Sequence, residues 1–415
     1  MLNRKFSTFN SRTNHSLNAR HNLTTPMEID KNLKKLPLTK SKPSTLESLF
    51  GKTDIEPMWV ADMEFEVAKP IQDSLIERIS NSGFGYEYKP DTFFKAQKRW
   101  YNKNYGIELD KNHIIYSPSI TTTISVLIEN FTSQSDGIIT QPPVFMEFQD
   151  VIRNTKRRIT KNPLKLVDKQ YKIDFHDLEI KAKLENNKIL IICNPHNPVG
   201  RVWTKKELKQ VVKICKENDL LLISDEIHKD IILFDNKFTS ALHFKNDYEK
   251  IVVCTSEAKT FNLCGITDSI AIIPNEDIKN SISDTFKKYN LGRTNALTRV
   301  ALETAYNNGQ DWLIDVLKTV EENVETIERE LENSNIELIK PEGTYQVWLD
   351  FRKVYKDTKE MFSHLTENSG IGLNAGHWFG REGALFMRMN IATSNEKATD
   401  AIKKIKKAVP NKELS

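Results

Sequence analysis

The chain has 415 residues, 39% apolar and 28% charged, the composition of a folded globular protein too long for one ordinary core, and wholesale disorder is excluded. Its 60 basic and 56 acidic residues are interspersed and leave a net charge of +4, so neither a nucleic-acid groove nor an acidic polymer partner is indicated. No apolar run approaches the ~20 residues needed to cross a bilayer, and no apolar signal core opens the chain, so a cytoplasmic protein without membrane association is expected.

Residues 1–27 contain Arg4, Lys5, Arg12 and Arg20 but no acid, and residues 1–45 read as a flexible basic extension. A transit peptide shares that composition, but the apolar face it needs is hardly developed. Ordered structure is expected from near Leu46. From Lys111 onward, short apolar runs alternate with helical stretches, the pattern of a parallel sheet with crossover helices. The strands predicted are 113–116, 137–140, 157–159, 188–193, 220–224, 250–255 and 269–273. A helix over 204–217 is predicted with a capping box, Thr204 and Glu207. After about Gln310 come a long helix over 312–333, strand-like pieces at 344–351 and 385–390, and a last helix from Glu396. The fold class expected is α/β, a doubly wound, mostly parallel large domain (76–310) with a smaller α+β domain assembled from 46–75 and 311–415. The four cysteines, Cys193, Cys215, Cys254 and Cys264, form no CxxC pair or ligand cluster, so reduced thiols and no metal site are expected.

Ligands in open α/β sheets gather at the carboxyl ends of the strands, and the polar clusters of this chain fall there. Ser119, Ile120 and Thr121 follow the first strand and open a helix whose free N–H groups suit a phosphate, although Ser-Pro followed by threonines also describes a plain helix cap. Asp225 ends an apolar strand, where a carboxylate needs a partner to stay ionised. Lys259 follows another, where a lysine is seldom buried without a role. An amine, an acid and the amide Asn197 so placed are what a protein needs to hold pyridoxal 5'-phosphate as an electron sink. Trp203, Trp312 and Trp348 fit core positions; Trp59, Trp378 and Tyr345 are divided between ordinary packing and lining a substrate pocket.

The motifs Asn197-Pro198-Val199-Gly200, Ser224-Asp225-Glu226-Ile227-His228, Lys259-Thr260-Phe261-Asn262 and Arg388-Met389-Asn390 resemble fold-type I enzymes of the class I/II aminotransferase superfamily. Pro57-Met58-Trp59-Val60-Ala61-Asp62-Met63-Glu64-Phe65 and Gly83-Phe84-Gly85-Tyr86 look like its MalY/PatB branch of cystathionine β-lyases and cysteine-S-conjugate β-lyases. The resemblance runs from about Leu46 to about Lys407. It implies that Lys259 carries the cofactor covalently, that Asp225 pairs with its ring nitrogen, and that Asn197 donates to its phenolic oxygen. It assigns Ser119, Ile120, Thr121 and Ser256 to the phosphate, Phe145 to ring stacking, His228 to the neighbourhood of the phenolic oxygen, and Arg388 to the substrate α-carboxylate. Tyr86 matches a residue that reaches the phosphate of a neighbouring subunit, which implies a homodimer with shared active sites.

This sequence departs from the superfamily pattern at Ala258, which replaces a serine before the lysine, and at Thr267, where aminotransferases often carry a phosphate-binding arginine. The activity implied is cleavage of the β carbon–sulfur bond of L-cystathionine or related L-cysteine S-conjugates to a thiol, pyruvate and ammonia. An aminotransferase of the same superfamily is the alternative, since local residues do not separate the two outcomes. A non-catalytic regulatory protein on this fold is a further one, set against the retention of Lys259, Asp225 and Arg388.

Overall fold

A computed structural model describes residues 27–293 and 295–410. All seven strands expected in the large region are present: β1 (Ile114–Ser117), β2 (Gly137–Thr140), β3 (Arg158–Lys161), β4 (Asn187–Cys193), β5 (Leu221–Asp225), β6 (Ile251–Thr255) and β7 (Ser269–Ile272). They form one sheet in the order β1-β7-β6-β5-β4-β2-β3, parallel except for β7, which runs antiparallel to both its neighbours.

The sheet is covered on both faces, and this explains the unbroken apolar runs. Leu190, Ile192, Leu222, Val253 and Ile272 enter one core cluster, whereas Ile189, Ile191, Ile223, Val252 and Ala271 enter the other, as the two-residue period of a strand requires. The second face packs against helices 120–131, 146–154 and 276–289 through Ile124, Leu127, Phe148, Ile152, Ile278 and Ile282. On the first face the helix Lys205–Glu217 buries Leu208, Val211 and Cys215, and its capping box is formed: Thr204 Oγ1 accepts from the Glu207 N–H, and Glu207 Oε2 accepts from the Thr204 N–H.

A second, antiparallel sheet has four strands, β8 (Glu337–Ile339), β9 (Gln346–Asp350), β10 (Asn374–Ala375) and β11 (Phe386–Asn390), in the order β8-β9-β11-β10. It is flanked by helices Gln310–Glu330, Thr358–Ser369 and Asn395–Ala408. Residues 56–57 pair in parallel with 371–372 and join the amino-terminal part of the chain to this region.

Gly200 connects the two sheets. Its φ of +73° is a left-handed conformation, its carbonyl accepts from the N–H groups of Glu342 and Gly343, and a Cβ there would stand 2.6 Å from Pro341.

The expected start of order near Leu46 is too late. A helix begins at Pro43, short 3-10 turns occupy 33–35 and 39–41, and Ile29 bridges Phe65. The reason is one buried ion cluster: Lys40 Nζ lies 3.1 Å from Asp62 Oδ1 and 3.2 Å from Glu64 Oε1, and Glu64 also binds Lys397 Nζ at 2.9 Å. Once these carboxylates are buried, their cation has to be held in place, and the segment that carries it is held with it. Residues 1–26 of the expected extension lie outside the described residues.

Lys40→Met removes that cation. The expected loss of stability is roughly 2 kcal/mol, less than for a fully buried pair because Asp62 keeps some solvent access and Glu64 keeps Lys397. Thermal melts should show the deficit at neutral pH and its decline on acidification, when the orphaned carboxylates can take up protons; a deficit independent of pH would contradict the assignment.

Candidate active site

Because β7 runs against the other strands, its start lies beside their carboxyl ends. Turns following β1, β2, β4, β5 and β6, together with the residues just before β7, therefore converge on one cavity of about 390 Å³. Nine of the twelve predicted site residues line it: Ser119, Ile120, Thr121, Phe145, Asn197, Asp225, His228, Ser256 and Lys259. A wider open groove of about 800 Å³ around Asp168, Glu328 and Lys340 lies elsewhere and gathers none of this chemistry.

Asp225 is 3% exposed, and burial pushes its carboxyl up to about 7, opposed by the Ile227 N–H on Oδ1 at 3.0 Å and by the charge of Lys259. Among the described residues no side chain pairs with its other oxygen, which faces the cavity where a cationic partner could sit. Lys259 Nζ donates to the Ala61 carbonyl at 2.5 Å and approaches Cys264 Sγ at 3.5 Å. His228 is buried, and desolvation, with Lys259 and Arg388 nearby, pushes it down to about 3. It is therefore neutral, and its Nδ1 has no partner among the described residues.

Ser119 caps the helix Ile120–Phe131 by accepting from the Thr122 N–H at 3.0 Å, which leaves the first N–H groups of that helix facing the cavity as an anion site. The Ser256 hydroxyl is spent within the chain, donating to the Asp268 carbonyl at 2.8 Å.

Arg388, the centre of β11, is buried, and loss of water lowers it to about 10. It reaches the cavity through Asn197, whose Oδ1 it binds at 2.9 Å; it also donates to the Trp59 carbonyl at 2.7 Å and to Asn374 Oδ1 at 2.5 Å. Its Nε has no partner among the described residues.

Two predicted residues stand apart from the cavity. The indole of Trp59 points to the amino-terminal helix, donating to the Lys40 carbonyl at 3.2 Å and packing edge-on against Phe50; only its carbonyl serves the site. Tyr86 is 97% exposed, with Arg293 across its ring. Tyr345, undecided from the sequence, supports the site from behind: it is fully buried, meets His228 edge-on and donates to the Ala61 carbonyl at 2.9 Å. Trp378 packs against Phe362, and Trp203 and Trp348 are core residues.

Sequence reasoning missed the loop 59–65 as a structural hub, since its contributions are backbone carbonyls. Besides Lys259, Tyr345 and Arg388, Asn390 Nδ2 binds the carbonyls of Val60 and Asp62 at 2.6 and 2.5 Å. It also missed a buried cluster behind the lysine. Lys229 Nζ lies 3.2 Å from both Asp230 Oδ2 and Glu257 Oε1, and Thr260 Oγ1 donates to Asp230 at 2.7 Å, so that the turns after β5 and β6 are clamped together. Glu147, Cys264, Thr267 and Asp268 also line the cavity.

The donor set fits pyridoxal 5'-phosphate: a helix start for the phosphate, a carboxylate oxygen for a ring nitrogen, Asn197 Nδ2 and an unpartnered imidazole for an oxygen, an aromatic face at Phe145, and an amine for the aldehyde.

Comparison with known proteins agrees with this geometry. Residues 66–405 match the family described as aminotransferase class I and II. The chain is 33% identical over 386 residues to cystathionine β-lyase PatB of Bacillus subtilis, covering 92% of this chain and 100% of that protein, and 27% identical to protein MalY of Escherichia coli, covering 84% and 90%. Among solved structures it resembles cystalysin from Treponema denticola, which contains pyridoxal 5'-phosphate, with a TM-score of 0.87, 29% identity and coverage of 92% and 98%. It also resembles the PLP-bound C-S lyase of Staphylococcus hominis, with a TM-score of 0.83, 29% identity and coverage of 92% and 96%.

The raised carboxyl of Asp225 makes a pH prediction. Its native value of about 7 lies above the ordinary 3.8, so in cofactor-free protein its penalty is absent below about pH 4, grows as pH rises and is complete above about pH 7. Cofactor-free Asp225→Asn should therefore melt higher than cofactor-free wild type at pH 8, by a smaller margin at pH 5, and converge with it only below about pH 4; equal melting temperatures across that range would refute the account.

Proposed function

The chain belongs to the aminotransferase class I and II family, and on that footing we propose that it cleaves the β carbon–sulfur bond of L-cystathionine or related L-cysteine S-conjugates, releasing a thiol, pyruvate and ammonia. It is a pyridoxal phosphate enzyme of the carbon–sulfur lyase type. The observation that carries the reading is the convergence of Lys259, Asp225 and Asn197 on one cavity in a chain that matches PatB over its full length.

When bound, the cofactor supplies an electron sink that acidifies the substrate α-carbon. The start of helix 120–131, with Ser119 and Thr121, would hold the phosphate, and Phe145 would offer its face to the ring. Asp225 would pair with the ring nitrogen, turning a costly buried carboxylate into a satisfied one. Asn197 Nδ2 would donate to the phenolic oxygen, with neutral His228 alongside. Arg388, which reaches the cavity through Asn197, takes the substrate α-carboxylate; its buried Nε–H has no partner among the described residues. Lys259 Nζ removes the α-proton. The carbon–sulfur bond then breaks with its electron pair leaving on sulfur, which takes up a proton as the free thiol. The aminoacrylate that remains hydrolyses to pyruvate and ammonia.

The same reading makes the enzyme a cytoplasmic homodimer. Among the described residues no helix is long and apolar enough to cross a membrane. Exposed Phe84, Tyr86 and Tyr88 form an aromatic segment suited to a second copy, in which Tyr86 would reach the partner's phosphate. Residues 46–75 with 311–415 then form the smaller domain and 76–310 the cofactor-binding one.

Holoenzyme given L-cystathionine without any keto acid should release pyruvate, and Lys259→Ala should lower the rate by more than about a thousandfold while the protein still folds. Conversion to the aminated cofactor, with turnover only on addition of a keto acid, would establish the aminotransferase alternative instead.

A further inference from the structure

Four charged side chains line the cavity: Glu147, Asp225, Lys259 and Asp268. Lys259 and Asp225 are engaged by the cofactor, and Asp268 feels the cation of Lys89. Glu147 is left over. It sits in the first turn of helix Met146–Asn154, two residues after the ring-stacking Phe145, at the carboxyl end of β2. Among the described residues it makes no hydrogen bond or ion pair.

Its carboxyl is raised mainly by loss of water; the charge of Lys259 opposes that rise, and Asp150 adds to it. Glu147 keeps solvent access, so it stands at the mouth of the cavity rather than beneath the cofactor. A carboxylate in that place, at the open side of the cavity and without a side-chain partner among the described residues, favours a cation arriving from outside. The substrate amino group is consumed at the cofactor aldehyde and the substrate carboxylate goes to Arg388, which leaves the departing thiol as the part of the substrate that extends toward the mouth.

We infer that Glu147 selects thioethers whose departing thiol carries an ammonium group. Diamino thioethers such as L-cystathionine are then preferred over S-conjugates with neutral alkyl groups. This rests on the carbon–sulfur lyase reading above and narrows it to a substrate class.

The test uses holoenzyme and a nearly isosteric pair, S-(2-aminoethyl)-L-cysteine and S-propyl-L-cysteine, with kcat/KM read from pyruvate and affinity read separately from the change in visible absorption of the bound cofactor. Wild type should favour the aminoethyl compound at least about tenfold, chiefly through KM, the scale of one charge-assisted hydrogen bond. Glu147→Gln should bring the ratio close to one. Glu147→Lys should invert it and favour S-(2-carboxyethyl)-L-cysteine over the aminoethyl compound. A wild-type ratio near one, or a Glu147→Gln variant that lowers both compounds equally, overturns the inference. Absence of pyruvate from every thioether would count against the lyase reading, and the absorption titrations would still decide whether Glu147 prefers the cation.

Discussion

The end of the central strand β5 imposes one constraint on the whole molecule: a carboxylate is buried there and must find a cation. Asp225 lies between β4 and β6, out of reach of bulk water, and among the described residues its carboxylate accepts a hydrogen bond from the Ile227 N–H alone. The parallel order of β1, β2, β4, β5 and β6 delivers five turns to its neighbourhood, and the reversal of β7 adds a sixth approach. Left to itself the acid is a liability; beside a protonated pyridine it becomes a clamp.

Around that point, placement depends on buried polar contacts far more than on apolar packing. The loop 59–65 offers its carbonyls to Lys259, Tyr345, Arg388 and Asn390, and is itself held by Asn262, whose side chain accepts from the Met63 N–H and donates to the Phe65 carbonyl. The Lys40 cluster fixes its acidic residues from one side, and the Lys229 cluster fixes the lysine turn from the other. The first links the site to the amino-terminal segment, the second to the helix Asp91–Tyr105, whose Trp100 Nε1 donates to Asp230 at 3.2 Å.

Much of this was legible in the sequence, for identifiable reasons. The seven strands of the large sheet could be read because a sheet covered on both faces needs continuous apolar runs, and the site could be read because side chains with chemistry follow those runs directly. The direction of β7 was not legible, since an apolar run has no polarity, and neither were the short strands β8 and β10, which carry too few residues for a period. For Trp59 the sequence left packing and pocket lining open; its indole packs toward Lys40 and Phe50 while its carbonyl accepts from Arg388, and no residue type announces a carbonyl. Lys40 looked like any other lysine in a basic stretch; only the fold puts Asp62 and Glu64 against it. Tyr86 lies outside the cavity of its own chain.

The reversal of β7 also bears on the order in which the molecule is made. Within the sheet β1 pairs with β7 alone, and the paired residues Ser117 and Ser269 are 152 positions apart. On the ribosome, β1 therefore emerges with neither edge satisfied and stays so until the last strand of the sheet has been synthesised. Its closure is the least local pairing of this sheet, which puts the helix start proposed for the phosphate, directly attached to β1, among the last parts of the sheet's ligand-facing end to settle.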